Sequence, residues 1–469
     1  MTDESQTLER AIAEFVIAFG SDDIDAEAQA TAKALIKDQL AIQIGASQLP
    51  WSKQLRNFMR KPRPGTSTVV AEEVPMDAAD AAYLNASYGH GFEYDDVAGN
   101  AHPGCCVVPV AMAVGQEVGA TLEQMVVAMV AGYEVYVRIG RIGSPALLNH
   151  GWQPHSVLAN FGSAAVAAKL YGFDVEQTHH ALAIAMSHAS GTTEYTSTGG
   201  SIKRAHAGIG ARNGIEAAGL ARAGITGPRR YLTGNKGFYR TFIREEIGHE
   251  VSSQFAPGQP LQLKQMWIKA YCCCGANHAY IDAISRVQAR AAEIVSVDTN
   301  IQSMTDACVG IKNEHRYGPR NIEELQYALP VQMALAALGK GNGYATHRSF
   351  LEGTLKLDEN SDVIQLARKI QLKVSPELDQ RFVRNFVADM TVHFRDGSSE
   401  HVFLDKAKGM PSNPFTPDEH RAKLMELTCE VIGEEQAKRL LNIVDQWDPT
   451  MPASELMNLT HAAALPGVR

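Results

Sequence analysis

The sequence predicts a mainly α-helical protein, in which a large all-helical domain is interrupted by a smaller α+β lid domain. Three observations support this fold class. Apolar residues recur at helical spacing through the first half of the chain. Strand-like alternation is found only after the Pro- and Gly-containing segment 257–260. Helical spacing then returns near the C-terminus, after a second such segment at 409–414.

The chain length and these composition changes predict the domain order. At 469 residues the chain is longer than one hydrophobic core usually accommodates, so two domains are expected. We place the first part of the helical domain at 1–258, the α+β lid domain at 259–408, and the C-terminal return of the helical domain at 409–469. The α+β unit is then an insertion in the helical domain.

The helices of the first half are predicted from apolar residues that recur every three to four positions. Thr121 and Gln124 indicate a capping box, and Gly172 stands where a helix end is expected. The predicted helices are Thr7–Phe19, Asp25–Gly45, Ala78–Tyr88, Thr121–Gly140, Ser156–Tyr171, Val175–Ser190 and Ala207–Ala223. Many of them are rich in Ala and Gly, which permits close packing between helices.

The second region combines strands and helices. Asp396-Gly397 indicates a hairpin that joins Met390–Arg395 to Ser399–Leu404. Alternation predicts strands at Ser303–Val309 and Asp389–Phe394. Helical spacing predicts the helices Ala276–Val297 and Leu325–Leu338 in this region, and Asp418–Ile432 and Glu434–Trp447 in the C-terminal return of the helical domain.

Composition excludes several classes of function. The net charge is -9 and no Lys/Arg block is present, so nucleic acid is not an expected partner. The chain opens with the polar residues 1–4 instead of a signal-peptide pattern, and no apolar run is long enough to span a bilayer. We therefore expect a soluble, cytoplasmic protein that does not contact membranes.

The cysteines are predicted to be buried thiols. Five of the seven lie in the runs 105–106 and 272–274, a pattern that fits neither a disulfide framework nor paired zinc ligands. The sequence also contains no His-x-x-x-His or Glu-x-x-His pair that would suggest a metal, and the glycines after Lys203 do not have dinucleotide-binding spacing. No metal site is expected.

Four polar islands interrupt apolar or small-residue surroundings. Lys203 and Arg204, with His206, follow Gly200, and charge inside a core is costly unless an anion offsets it. The other three islands are Glu93–Asp96 followed by His102, Gly151–Ser156, and Tyr271–His278. Carboxylates, imidazoles and an ammonium group together suggest acid/base chemistry on a small anion.

Ordinary structural explanations remain open at several of these residues. Asp95 and Asp96 could form a solvated turn, although their apolar neighbours favour a buried carboxylate, whose raised pKa would suit a base. His278 at a helix start, and Tyr327 on the predicted helix, could both be structural residues.

Taken in order, the islands carry a family resemblance. Asp95-Asp96…His102-Pro103, Gly151-Trp152-x-Pro154, Lys203-Arg204-x-His206-x-Gly208 and Cys273-Cys274…His278 together resemble the MmgE/PrpD family of 2-methylcitrate dehydratases, cis-aconitate decarboxylases and iminodisuccinate epimerases. The resemblance extends over nearly the whole chain. It implies a homodimer that needs no metal or organic cofactor, with a site between the helical domain and the lid.

The resemblance also implies roles for individual residues. Catalytic roles fall to Asp95 or Asp96, His102, Lys203 and His278. Lys203 would stabilise an enediolate, and the histidines would transfer protons. Substrate-binding roles fall to a second set, which consists of Gln153, His155, Arg204, His206 and Tyr327.

One departure from the family pattern concerns the substrate. Many members carry a histidine after the aromatic residue of Gly-aromatic-His-Pro, where this chain has Gln153. Glutamine cannot transfer a proton in that role. Either His155, two places on, substitutes for the missing histidine, or the reaction differs from that of the best-known members.

We therefore expect a cofactor-independent lyase, a dehydratase similar to 2-methylcitrate dehydratase, acting on a small di- or tricarboxylic or hydroxy acid. An epimerase or a decarboxylase on the same scaffold is the first alternative. A catalytically inactive, carboxylate-binding paralogue is the second.

Overall fold

The computed structural model describes residues 7–98, 101–195, 200–247, 249–382 and 386–461, and they divide into two compact units. Unit 1 contains the described residues up to Met266 and those from Leu427 on. Unit 2 contains Trp267–Glu426. The predicted fold class is confirmed, because the chain is mainly helical and the strands are confined to one small mixed sheet in the described part of the chain.

Unit 1 is built from helices. Before the unit boundary they are α1 (Leu8–Ala18), α2 (Ala26–Ala46), α3 (Pro50–Phe58), α4 (Ala78–His90), α5 (Gly104–Val118), α6 (Leu122–Gly143), α7 (Ala146–Asn149), α8 (Pro154–Leu170), α9 (Val175–His188) and α10 (Lys203–Arg222). Side-chain caps start several of them. The predicted capping box of Thr121 and Gln124 is present at α6, and Asp174 forms another at α9.

The centre of unit 1 is formed by α10, which packs against α4 and α8. This close packing depends on small residues. A Cβ atom at Gly208 would overlap the Tyr83 carbonyl oxygen and Ser87 Oγ of α4, so only glycine fits there without displacing the backbone of α4. The helix begins at Lys203, four residues earlier than predicted, which places Lys203 and Arg204 in its first turn instead of in a loop.

Unit 2 combines short helices with a four-stranded sheet. Its elements are α11 (His278–Ser285), β1 (Ile294–Ile301), α12 (Ser303–Val309), α13 (Ile322–Gln326), α14 (Leu329–Ala337), α15 (Tyr344–Leu351), α16 (Asp362–Ala367), β2 (Ile370–Val374), α17 (Pro376–Arg381), β3 (Ala388–Phe394) and β4 (Ser399–Leu404). The strand order is β2-β1-β3-β4, in which β1 pairs parallel to β2 and antiparallel to β3. The hairpin predicted at Asp396-Gly397 is confirmed, with Gly397 at a φ of 84°.

Three helices complete the chain. They are α18 (Pro417–Ile432), α19 (Glu434–Gln446) and α20 (Ala453–Asn458). Among the described residues, no helix is both long and apolar enough to cross a membrane.

Three predictions for unit 2 are wrong. Ser303–Val309 is the helix α12, not a strand, and its N-terminus is capped by Asp379, whose carboxylate accepts from Ser303 N and Oγ. The helix predicted at Ala276–Val297 ends at Ser285, because the residues from Ile294 on pair with two other strands. In each case the deciding partner is distant in sequence.

The third correction concerns Tyr327, which does not lie within a helix. The predicted helix Leu325–Leu338 is broken into α13 and α14, and Tyr327 lies at the break. Backbone carbonyl groups at the end of α13 accept hydrogen bonds from other segments of the chain instead of continuing the helix. Gln326 O accepts from Cys274 N and Asn277 Nδ2, and Tyr327 O accepts from Asn313 Nδ2.

Candidate functional site

A buried carboxylate, Asp95, lies between two histidines in unit 1. Its Oδ2 accepts a hydrogen bond from His90 Nδ1 at 2.9 Å and lies 3.5 Å from His102 Nδ1. The Asp95 and His90 side chains are fully buried, and the His102 side chain is 16% exposed. His90 is the last residue of α4, and His102 lies two residues before α5, so the loop between these helices brings the three side chains together.

The hydrogen bond of His102 determines its tautomer. His102 Nδ1 lies 3.0 Å from the backbone oxygen of Asp96. A carbonyl oxygen can only accept, so Nδ1 carries the proton and Nε2 is the basic nitrogen of the neutral ring. This orientation, at a partly exposed position beside a buried carboxylate, is that of a general base.

Asp96 makes different contacts from its neighbour. Its Oδ1 accepts from Gly104 N at 3.1 Å, and its Oδ2 accepts from Tyr133 Oη at 3.1 Å. A Cβ atom at residue 104 would overlap Oδ1, so glycine is required at the start of α5. Burial, with the nearby charges of Asp95 and Asp38, raises the pKa of Asp96 well above its usual value. Of the two predicted carboxylates, Asp95 faces the histidines and Asp96 anchors a helix N-terminus.

The raised pKa of Asp96 gives a testable pH dependence of stability. Because the carboxyl binds its proton more tightly in the folded chain, its contribution to stability is fully present below the unfolded pKa of about 3.9 and is lost as the pH rises. Asp96→Asn can keep both contacts without ionising. We expect the melting temperature of this variant, relative to that of the native chain, to rise steadily between pH 4 and pH 8.

Calorimetric or fluorescence melting at each pH provides the measurement. Asp22→Asn, at an exposed aspartate, is the matched control for the substitution itself. A constant difference for Asp96→Asn would show that Asp96 does not titrate abnormally.

Lys203 forms a buried ion pair with Glu93. The Lys203 and Glu93 side chains are only 6% and 3% exposed, and Nζ contacts Oε1 directly. Glu93 has a φ of 58°, in the left-handed region that non-glycine residues rarely occupy. Lys203 is the first residue of α10, where the helix dipole disfavours a cation. The anion that offsets the buried charge is therefore a residue of the protein, which the sequence analysis had not assigned to the site.

Arg204 contacts the segment that precedes Asp95 and the ring of Trp51. Its Nη1 donates to Gly91 O at 2.6 Å, and its guanidinium lies 4.6 Å from the centre of the Trp51 ring. The residue is 2% exposed. These contacts connect α10 to α3 and to the loop that carries Asp95, and the substrate-binding role of Arg204 stays a prediction.

Gln153, Tyr195 and His206 form a second group beside the Lys203–Glu93 pair. Gln153 Nε2 donates to Tyr195 Oη at 2.7 Å, and the Tyr195 ring packs edge-on against His206 at 5.9 Å. His206 lies one helical turn after Lys203. Burial, followed by the charge of Lys203, lowers the pKa of His206 to about 4. His206 is thus neutral near pH 7.

His155 lies with the Asp95 group. It is completely buried, its Nδ1 is hydrogen-bonded to Tyr136 Oη at 3.0 Å, and its Nε2 lies 3.7 Å from Cys105 Sγ. Burial, then the neighbouring His90 and His102, lowers the pKa of His155 well below its usual value. A neutral, enclosed imidazole is poorly suited to replace a histidine at position 153.

The remaining predicted residues, His278 and Tyr327, belong to unit 2. His278 opens α11, as expected, and is fully buried between the rings of Trp267 and Tyr271 at 5.0 and 5.1 Å. Burial and the charge of Lys269 lower its pKa well below the usual value. Tyr327 is half-buried. Their catalytic and substrate-binding roles stay predictions.

Sequence reasoning missed several residues of the site. Glu93 was quoted within a polar island, but no local pattern indicates that it pairs with Lys203, 110 positions later. His90 and Tyr136 lie on helices where nothing distinguishes them from core residues, and Tyr195 has no motif around it. Only the packing of α4, α5, α6 and α8 brings His90, Cys105, Tyr136 and His155 together.

Comparison with known families agrees with this arrangement of two units. The MmgE/PrpD N-terminal domain matches residues 10–249, and the MmgE/PrpD C-terminal domain matches residues 271–449. The chain belongs to the MmgE/PrpD family. The family predicted from the polar islands is therefore confirmed.

Individual relatives are distant but extend over most of the chain. Cis-aconitate decarboxylase of Aspergillus terreus is 27% identical over 469 residues, which is 93% of this chain and 93% of that protein. Cis-aconitate decarboxylase of Homo sapiens is 24% identical over 415 residues, 86% of this chain and 84% of its own length. The Mus musculus protein of the same name is 23% identical over 391 residues, 81% of this chain and 78% of its own length.

Proposed function

We propose that this MmgE/PrpD family member is a lyase that acts on a small di- or tricarboxylic acid by proton transfer at the carbon next to a carboxylate. The observation that carries the proposal is the orientation of His102. Its Nδ1–H is held by the Asp96 carbonyl and faces the buried Asp95, so Nε2 is the atom that takes the proton.

This chemistry also requires a cation. Removing a proton next to a carboxylate creates an enediolate, whose extra negative charge needs a cationic partner. Lys203 supplies that cation. An ammonium group has three N–H donors, so the contact with Glu93 is compatible with a further bond to a substrate carboxylate. Glu93 then acts as a positioning residue for Lys203.

Dehydration and decarboxylation are the two reactions to be separated. In dehydration, His102 removes the proton, and the hydroxyl on the neighbouring carbon takes up a proton and leaves as water. In decarboxylation, carbon dioxide leaves and the resulting carbanion takes up a proton. The names of the relatives favour decarboxylation of cis-aconitate, whereas the paired proton donors and acceptors suit dehydration of 2-methylcitrate equally well.

Proton NMR in D₂O tests the proposal. The purified protein is incubated with 2-methylcitrate, citrate, cis-aconitate or iminodisuccinate. Deuterium at a carbon next to a carboxylate is expected with at least one acid. A new alkene signal from citrate or 2-methylcitrate would identify dehydration, the signals of an unsaturated five-carbon diacid from cis-aconitate, with release of carbon dioxide, would identify decarboxylation, and exchange alone would identify epimerisation. No exchange with any of these acids, together with measurable binding, would favour the catalytically inactive paralogue.

Position 153 gives a second test, of substrate choice. Gln153 is 8% exposed and its amide is bound to Tyr195, so it can hold a substrate group but cannot transfer a proton. We expect Gln153→His to raise turnover of 2-methylcitrate at least about 10-fold, toward the gain of about 10²–10⁴-fold that a positioned acid or base provides. Steady-state kinetics measures the effect, with Gln153→Asn as the control that keeps an amide. Equal rates for the two variants would contradict a role of position 153 in proton transfer.

A further inference from the structure

One thiol and two imidazoles converge in the interior of unit 1, behind His102. The donor atoms of His90, Cys105 and His155 lie within 4.8 Å of one another, and all three residues are fully buried. His155 Nε2 lies 3.7 Å from Cys105 Sγ. Zn–S bonds of about 2.3 Å and Zn–N bonds of about 2.0 Å at a tetrahedral angle place S and N about 3.6 Å apart. The observed spacing is close to this value.

The Nδ1 atoms of both imidazoles form hydrogen bonds of the kind found in zinc sites. A zinc-bound histidine usually donates its second ring N–H to a carboxylate or another oxygen, which fixes the tautomer and orients the ring. His90 Nδ1 donates to Asp95 Oδ2 at 2.9 Å, and His155 Nδ1 is bonded to Tyr136 Oη at 3.0 Å. With Nδ1 bonded in both rings, a metal ion would be bound through the Nε2 atoms.

We propose that His90, Cys105 and His155 form a binding site for Zn²⁺ or a similar thiophilic divalent cation. The donor set, one thiolate and two imidazoles, is one that zinc prefers. On binding, the thiol gives up its proton and forms the Cys105 Sγ–Zn bond. The ligands are 15 and 50 positions apart in sequence, so no local motif indicates the site. The inference does not depend on the proposed lyase activity.

A second set of donors shares His90. The atoms of His90, Asp95 and His102 also lie within 4.8 Å of one another. A metal there would have oxygen and nitrogen ligands only, and it would replace the Asp95–His90 hydrogen bond. The Cys105 set keeps that hydrogen bond and adds a thiolate, which is the reason for preferring it.

The first measurement uses the intact protein, expressed in medium supplemented with Zn²⁺ so that the buried site can fill as the chain folds. Elemental analysis after gel filtration is expected to give about one zinc per chain. The protein is also expressed with Co²⁺, because a cobalt–thiolate bond gives a near-ultraviolet charge-transfer band and tetrahedral cobalt gives intense visible bands. We expect both features.

Matched variants identify the ligands. Cys105→Ser should remove the charge-transfer band and weaken Zn²⁺ binding, measured by competition with a chromophoric chelator, at least about 100-fold. Cys106→Ser is the control, because Cys106 is equally buried in the same helical turn and its thiol, like that of Cys105, bonds a backbone oxygen, but it is not one of the three convergent donors. Tyr136→Phe, which removes only the second bond of His155, should weaken binding about 10-fold.

Three results would overturn the proposal. They are absence of zinc and cobalt from protein expressed with either metal, a cobalt spectrum without a thiolate band, and equal zinc affinity in the Cys105→Ser and Cys106→Ser proteins. If Cys105→Ser does not fold, the cobalt spectrum of the native protein and the Tyr136→Phe affinity still decide the question. Turnover assays play no part in this test, so a failure of the proposed function would leave its outcome unchanged.

Discussion

Replacing Lys203 with methionine is expected to lower the free energy of unfolding by about 3–5 kcal/mol, because it breaks the ion pair of the buried Glu93 carboxylate. Methionine has a similar length and keeps the apolar contacts of the lysine stem. Glu93→Gln should destabilise the chain by a comparable amount, since it removes the anion that offsets the ammonium at a helix N-terminus. The double variant should recover most of the loss. Urea unfolding of the four proteins gives the coupling free energy directly.

Turnover in the same four proteins separates structural from catalytic roles. If Lys203 stabilises the enediolate, the double variant remains inactive although its stability is restored. Recovery of both stability and turnover would show that Lys203 is needed only for folding. Lys438→Met serves as the control for stability, because Lys438 pairs with Glu434 on the surface, where an ion pair contributes less than about 1 kcal/mol.

The second large effect is expected at His102. His102→Asn should lower kcat by about 10²–10⁴-fold, the usual contribution of a general base, while changing KM little. The asparagine amide can still donate to the Asp96 carbonyl, so the loop keeps its hydrogen bond while the basic Nε2 is removed. The measurement is steady-state kinetics with the acid identified by NMR, together with deuterium exchange at the same carbon.

A matched control and a contradicting outcome make this expectation specific. His401→Gln is the control, because His401 is 61% exposed on the sheet of unit 2. If His102→Asn retains at least a third of native turnover, another group is the base.

The local pattern of the sequence was sufficient for most helices of unit 1. Apolar spacing predicted α1, α2, α4, α6, α8 and α9, because each of these helices buries apolar residues that recur at helical spacing and several start at a side-chain cap. Local sequence patterns were less reliable in unit 2. The strand β1 and the helix α12 depend on distant partners, which are the strands β2 and β3 and the carboxylate of Asp379.

The sequence by itself determined the family, the mainly helical fold, the hairpin, and the polar islands that contain Asp95, His102 and Lys203. It did so because short motifs and periodic burial are local properties. Only the tertiary structure decided what those residues contact. It paired Lys203 with Glu93, turned Asp95 toward two histidines and Asp96 toward a helix N-terminus, and enclosed His155 with Cys105 and Tyr136. Each of these contacts joins side chains from different segments, and their partners are selected by helix packing and burial, which no local pattern encodes.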